Sequence, residues 1–157
     1  MRKIFINENT QDVEVAADEW LNLDLLAAVE VTSENIDHPV ESALLPGKGA
    51  GWLAGMPGKQ IIRLRFDAPQ QIRRIALKFI ETDHIRTQEF VLRGSSDGGK
   101  TYREIVRQQW NFSAPDATVE EQDFHVDLPT VTVLELSIIP DISGKDAVAS
   151  LAQLRLA

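Results

Sequence analysis

The sequence predicts an all-β fold, an antiparallel jelly roll or β-sandwich, on three observations. From residue 60 onward the apolar residues recur with a period of two, the signature of strands that bury one face. A series of such stretches follows, and between them only Tyr102, Ile105, Val106 and Trp110, at i, i+3, i+4 and i+8, fall at a helical spacing. The links are short and carry turn chemistry, whereas parallel strands need crossovers of a dozen residues or more. Successive short antiparallel strands pack as a sandwich or jelly roll. At 157 residues the chain has the size of one domain, and residues 1–157 are read as a single unit around one core.

In chain order, Lys3 to Ile6 is read as an edge strand, Ala16 to Leu25 as a short helix with Trp20 turned inward, and Ala27 to Thr32 as a strand. Pro39 to Leu45 reads as one helical turn, with Pro39 at the first helical position and Asp37 or His38 capping it. Pro46 to Gly58 is a glycine-rich loop. The alternation then places Ile62, Leu64 and Phe66 on a buried face, with Arg63 and Arg65 opposite. Ile75, Leu77 and Phe79 repeat the pattern, as do Phe90 with Leu92, then Phe124, Val126 and Leu128, then Leu134, Leu136 and Ile138, and last Ala152, Leu154 and Leu156. Turns are expected at Asp67 to Gln70, Ser96 to Gly99 and Leu128 to Thr130.

Composition narrows the function. The formal charge of −8 repels phosphate backbones and anionic lipid, so neither nucleic acid nor a membrane surface is an expected partner. Arg63, Arg65, Arg73 and Arg74 alternate with apolar residues and read as the solvated face of strands. No apolar run approaches the ~18 residues of a membrane span. Met1 to Glu8 holds too few apolar residues for a secretory core, so the chain is expected to be cytoplasmic or to have lost a leader. Without cysteine there is no disulfide, thiolate metal site or thiol nucleophile.

Gly94-Ser95-Ser96-Asp97-Gly98-Gly99-Lys100-Thr101 matches the phosphate-binding pattern G-x-x-x-x-G-K-[ST]. The nucleotide reading fails on context. The flanking segments leave no room for helical crossovers, Asp97 would put a negative charge among amides meant for phosphate, and Ser-Asp-Gly-Gly-Lys is hairpin chemistry. The same residues spell the nucleophile elbow G-x-S-x-G, which needs a strand, a sharp turn, a helix and a nearby histidine. Gly49 to Ala54 fits G-x-G-x-x-A, but Pro46 rather than a strand precedes it. The histidines, His38, His84 and His125, lack metal-ligand spacing, and the run Glu120, Glu121, Asp123 reads as solvated charge. No catalytic residue and no metal ligand is assigned.

Several segments in correct order resemble the discoidin domains, also called coagulation factor 5/8 type C domains, of the galactose-binding-like jelly rolls. They are Gly51-Trp52, the strand Gly58 to Phe66, the strand Ile72 to Phe79, the hairpin Phe90 to Tyr102, and the closing strand Ala149 to Leu156. The resemblance covers about residue 27 to the end. It implies a jelly roll and a module that binds glycans, lipid headgroups or proteins rather than an enzyme. Many members hold a structural calcium, but here the corresponding loop is Leu45 to Trp52 and Gln153 stands in place of the last strand's glutamate. The carboxylate oxygens a hard cation wants are gone, and calcium is not favoured.

If the three tight turns share one end, the other end gathers His38 to Gly58, Thr82 to Arg86, Trp110 to Thr118 and Pro140 to Ala147. That end is the expected site. Trp110, Phe112 and Trp52 offer flat apolar faces for sugar C–H groups, and His84, Arg86 and Asn111 offer hydrogen bonds to hydroxyls. Trp52 reads equally as a plug closing the barrel end, and Arg86 as the partner of Asp83 or Glu89. The leading expectation is a non-catalytic carbohydrate-binding module; the alternative is an intracellular protein-interaction module, with nucleotide binding third.

Overall fold

A computed structural model describes residues 19–157. The strand expected at Lys3 to Ile6 and the first part of the helix expected at Ala16 to Leu25 lie outside the described residues. Within them, helix α1 spans only Leu23–Leu26 and runs directly into strand β1, Ala27–Val31. Helix α2, Glu41–Leu44, is the expected turn after Pro39, but neither Asp37 nor His38 caps it. Glu34 reaches across instead, and its carboxylate accepts a hydrogen bond from the Val40 amide at 2.8 Å.

Two strands of 21 residues dominate: β3, Gln60–Ile80, and β6, Val119–Ile139. They pair antiparallel from Gln60↔Ile138 to Ile80↔Val119. The register shifts between Arg65 and Arg74, where turns were expected at Asp67 to Gln70 and Leu128 to Thr130. Those segments are bulged bends inside continuous strands, not turns. Pro69 and Pro129 have no N–H to give the ladder, and a bulge bends a pair of strands without ending it.

Bending brings the two halves of β3 and β6 face to face. The first half of β3 and second half of β6 form one layer with β1, β4 (Ile85–Ser95) and β5 (Arg103–Ser113), in the order β1-β3-β6-β4-β5. The second half of β3 pairs on its other side with β8, Gln153–Leu156. The core fills the space between: Phe79 stacks on Phe90 with centroids 5.3 Å apart, and Phe124 meets Phe90 edge-on at 6.3 Å. Ile62, Leu64, Ile75, Leu77, Leu92, Leu134, Leu136 and Ile138 are buried as the alternation requires. Phe124, Val126 and Leu128 are only half-buried, because the first half of β6 is an edge. Val91 is buried on the face expected to be open, since β4 lies between β6 and β5.

Two further corrections concern the ends of the sandwich. Within the expected glycine loop Pro46 to Gly58, Trp52–Pro57 forms strand β2, paired with β7, Val148–Leu151. Gly51, at φ +113°, permits that approach, for a Cβ there would come within 2.7 Å of the Leu151 carbonyl oxygen. The closing strand is broken at Ala152, which slips the buried face from Ala149 and Leu151 to Leu154 and Leu156. The arginine face is solvated and paired: Arg63 with Glu135 at 2.7 Å, Arg65 with Glu30, and Arg74 with Asp123 at 2.6 Å.

Candidate ligand-binding cleft

Because β3 and β6 fold back on themselves, their four termini meet at one end. There Glu81 donates its amide to Thr118 O, Gly58 to Ala147 O and Ile142 to Thr87 O, at 2.8, 3.1 and 2.9 Å. Between these segments opens a cleft of about 790 Å³, walled by residues 53–57 of β2, by residues 80–86 around the β3–β4 turn, and by residues 141 and 145–148 after β6.

Arg86 is built into the wall of the cleft and is only 4% exposed. Its Nε donates to Glu81 Oε1 at 2.7 Å, and its Nη1 to Pro140 O at 2.8 Å and Gln88 Oε1 at 3.2 Å. Its guanidinium lies over the Phe112 ring, 4.7 Å from the centroid. Nη2 is buried and has no hydrogen-bond partner among the described residues. Gln88 passes the polarity inward, donating to Glu120 Oε1 at 3.2 Å, while Gln122 donates to Oε2 at 3.1 Å. Burial pushes the Glu120 carboxyl above the usual carboxylate range. Partial burial pushes Glu81 the same way, but the hydrogen bond from Arg86 and the Asp83 amide outweigh it, and Glu81 stays below its ordinary value. The hydroxyl and amide of Ser143 hold Asp141 low as well.

The structure brings two of the expected site residues to this cleft, His84 and Arg86. The His84 side chain is exposed, with Nδ1 3.6 Å from Glu81 Oε2. Arg86 pairs with Glu81, not with Asp83 or Glu89. The other four lie elsewhere. Trp52 is 1% exposed and donates its indole N–H to Ser33 O at 3.0 Å, so it plugs the barrel end. Phe112 is wholly buried beneath Arg86. Trp110 packs half-buried against the core with its indole nitrogen enclosed. Asn111 is exposed but faces Thr87, whose hydroxyl it accepts at 2.7 Å. The segment Trp110 to Thr118 thus supplies none of the residues lining the cleft.

Among the described residues, no Trp, Tyr or Phe lines the cleft. Its apolar faces are Met56, Ile80, Ile85 and Val148, each at least 40% exposed. The sequence placed Met56, Ile85, Asp141 and Lys145 in loops at this end without singling them out, and missed Ile80, Glu81 and Val148. An isoleucine at each end of a short polar turn, Ile80 and Ile85, was the available signal.

The hairpin that spells a phosphate loop is closed upon itself. Asp97 accepts hydrogen bonds from the Ser95 hydroxyl at 2.7 Å and from the Thr101 amide and hydroxyl at 3.0 and 2.6 Å. The chain after it is strand β5, not a helix, and Gly98 and Gly99 take φ of +77° and +91° to make the turn. At that opposite end a second groove of about 570 Å³ lies between the hairpin and the β6 bend, with Arg103, Ile105 and Val126 among its walls.

No protein-family model matches the chain, and no curated protein matches it. Solved structures do. A pectin-binding carbohydrate-binding module superposes with a TM-score of 0.61 at 18% identity, over 83% of this chain and 89% of that one. The family 32 module from C. perfringens NanJ, solved with galactose, gives 0.59 at 16% over 83% and 92%. Chitosan-binding module 1 from a chitosanase/glucanase of Paenibacillus sp. IK-5 gives 0.59 at 15% over 87% and 98%. At these identities the likeness is one of fold. The shared fold is an antiparallel jelly-roll β-sandwich.

Proposed function

We propose that this chain is a non-catalytic carbohydrate-binding module that takes a short stretch of glycan in the cleft at the β3–β4 turn. The observation that carries the reading is the orphaned Nη2 of Arg86, a buried donor in the wall of a cleft of saccharide size. Around it His84, Glu81 and Asp141 offer further hydrogen bonds, and Ile85 and Met56 offer apolar surface for sugar C–H groups. The glycan-binding modules that share the fold support the reading. The test is a glycan array followed by titration of each hit against the chain and its His84→Ala variant. The exposed His84 can be removed without disturbing the core, so loss of binding with an unchanged melting temperature is the expected result.

The four exposed aliphatic residues at the cleft mouth favour a second reading, a protein-interaction module. A blank glycan array together with a stable co-purifying protein, released by Ile85→Asp, would select it.

A further inference from the structure

We infer that the cleft selects glycans bearing a free amine, amino sugars with a protonated nitrogen, over neutral sugars and over uronic acids; this rests on the carbohydrate reading above. The cleft lining carries the carboxylates Glu81, Asp83, Asp141 and Asp146 against the fixed cations Arg86 and Lys145. These charges are unevenly matched. Glu81 and Arg86 neutralise each other at 2.7 Å, and Gln88 links the same guanidinium to buried Glu120. Lys145 acts on Asp141, whose carboxyl it helps to hold low after the bonds from Ser143. Asp83 and Asp146 are exposed and have no hydrogen-bond or ion-pair partner for their side chains among the described residues.

Two uncompensated carboxylates therefore flank a cleft lined by Arg86, whose Nη2 is buried and lacks a hydrogen-bond partner among the described residues. With its charge already matched by Glu81, Arg86 acts toward a ligand as a hydrogen-bond donor, suited to a hydroxyl or ring oxygen. A uronate would add a negative charge to this surface on a chain already at −8. An ammonium group on the sugar meets Asp83 or Asp146 at the rim while its hydroxyls reach Arg86 and His84.

The test is calorimetric titration of the full chain at pH 6 and low salt with three trisaccharides: the glucosamine trimer, its fully N-acetylated form, and trigalacturonate. The expected result is that the amine trimer binds about tenfold more tightly than the N-acetylated one, the scale of two exposed ion pairs, and that trigalacturonate binds least. Asp83→Asn combined with Asp146→Asn should bring the amine and N-acetylated trimers to equal affinity without weakening the latter. Equal affinities in the unmodified chain, or tightest binding by trigalacturonate, overturn the selection while leaving the carbohydrate reading standing. No binding by any trisaccharide, with a blank glycan array, overturns both.

Discussion

The guanidinium of Arg86 lies over the ring of Phe112, 4.7 Å from its centroid, with Glu81 Oε1 2.7 Å from Nε. Phe112 and Arg86 are also directly opposite each other in the β4–β5 ladder. The aromatic ring supports the cation from inside while the carboxylate holds it from the cleft side. A guanidinium suits this position because it stacks and presents several donors in fixed directions.

Arg86→Ala would leave Glu81 half-buried and unpaired, and is expected to cost about 3–5 kcal/mol. Arg86→Met, which fills the volume, still leaves that carboxylate unmatched, whereas Arg86→Met combined with Glu81→Gln should recover most of the loss. Urea denaturation of the three variants measures the difference.

Trp52 closes the end of the barrel beside Ala54, Ala149 and Leu151, all buried. Trp52→Ala is expected to destabilise the fold by about 3–5 kcal/mol, and Trp52→Phe by less, through loss of the bond to Ser33 O. Tryptophan fluorescence of wild type should stay constant through a sugar titration as far as Trp52 contributes, because its ring is out of reach of ligand.

Glu120 supplies a pH signature. Burial raises its pKa in the folded chain, so the folded state holds a proton that the unfolded state releases just above the ordinary carboxylate range. Stability attributable to Glu120 therefore falls as pH rises through that window. Glu120→Gln removes the titration while keeping a hydrogen-bonding side chain. Its melting temperature should exceed that of wild type at pH 8, and the two should converge near pH 4.

Asp97 has the opposite sign. The hydroxyl and amide of Thr101, then the hydroxyl of Ser95, hold its carboxyl well below the usual range. Its contribution to stability is complete above the unfolded carboxylate pKa and is lost as pH falls below about 4. Asp97→Ala should therefore melt below wild type at pH 7, with the gap shrinking under acid. Lys100→Ala should change neither stability nor ATP binding, which equilibrium dialysis should find absent in both.

The alternation at Ile62-Leu64-Phe66 and Ile75-Leu77-Phe79 was legible because a strand with one buried face leaves a two-residue period in the chain. What lies between them, Asp67 to Gln70, was legible as a break in direction but not as a bend. A proline marks lost ladder bonds at a turn and at a bulge alike. The same limit hid β2, whose glycines read as loop until β7 is seen against Gly51. At the cleft, His84 and Arg86 were legible because both follow the end of a strand. Phe112 reads as an exposed sugar platform, and Trp52 equally as a platform or as a plug, because aromatics in or next to loops do not reveal whether they face outward or inward. Partners distant in sequence decide that: Arg86 for Phe112, and Ser33 for Trp52.

The most direct test of the carbohydrate reading is backbone amide chemical-shift mapping during titration with the best glycan-array hit. Saturable shifts confined to residues 53–57, 80–86 and 141–148, abolished by His84→Ala, are the predicted result. Shifts that instead cluster around Ser96, Arg103 and Val126 at the opposite groove, or no shifts with any glycan, would contradict it.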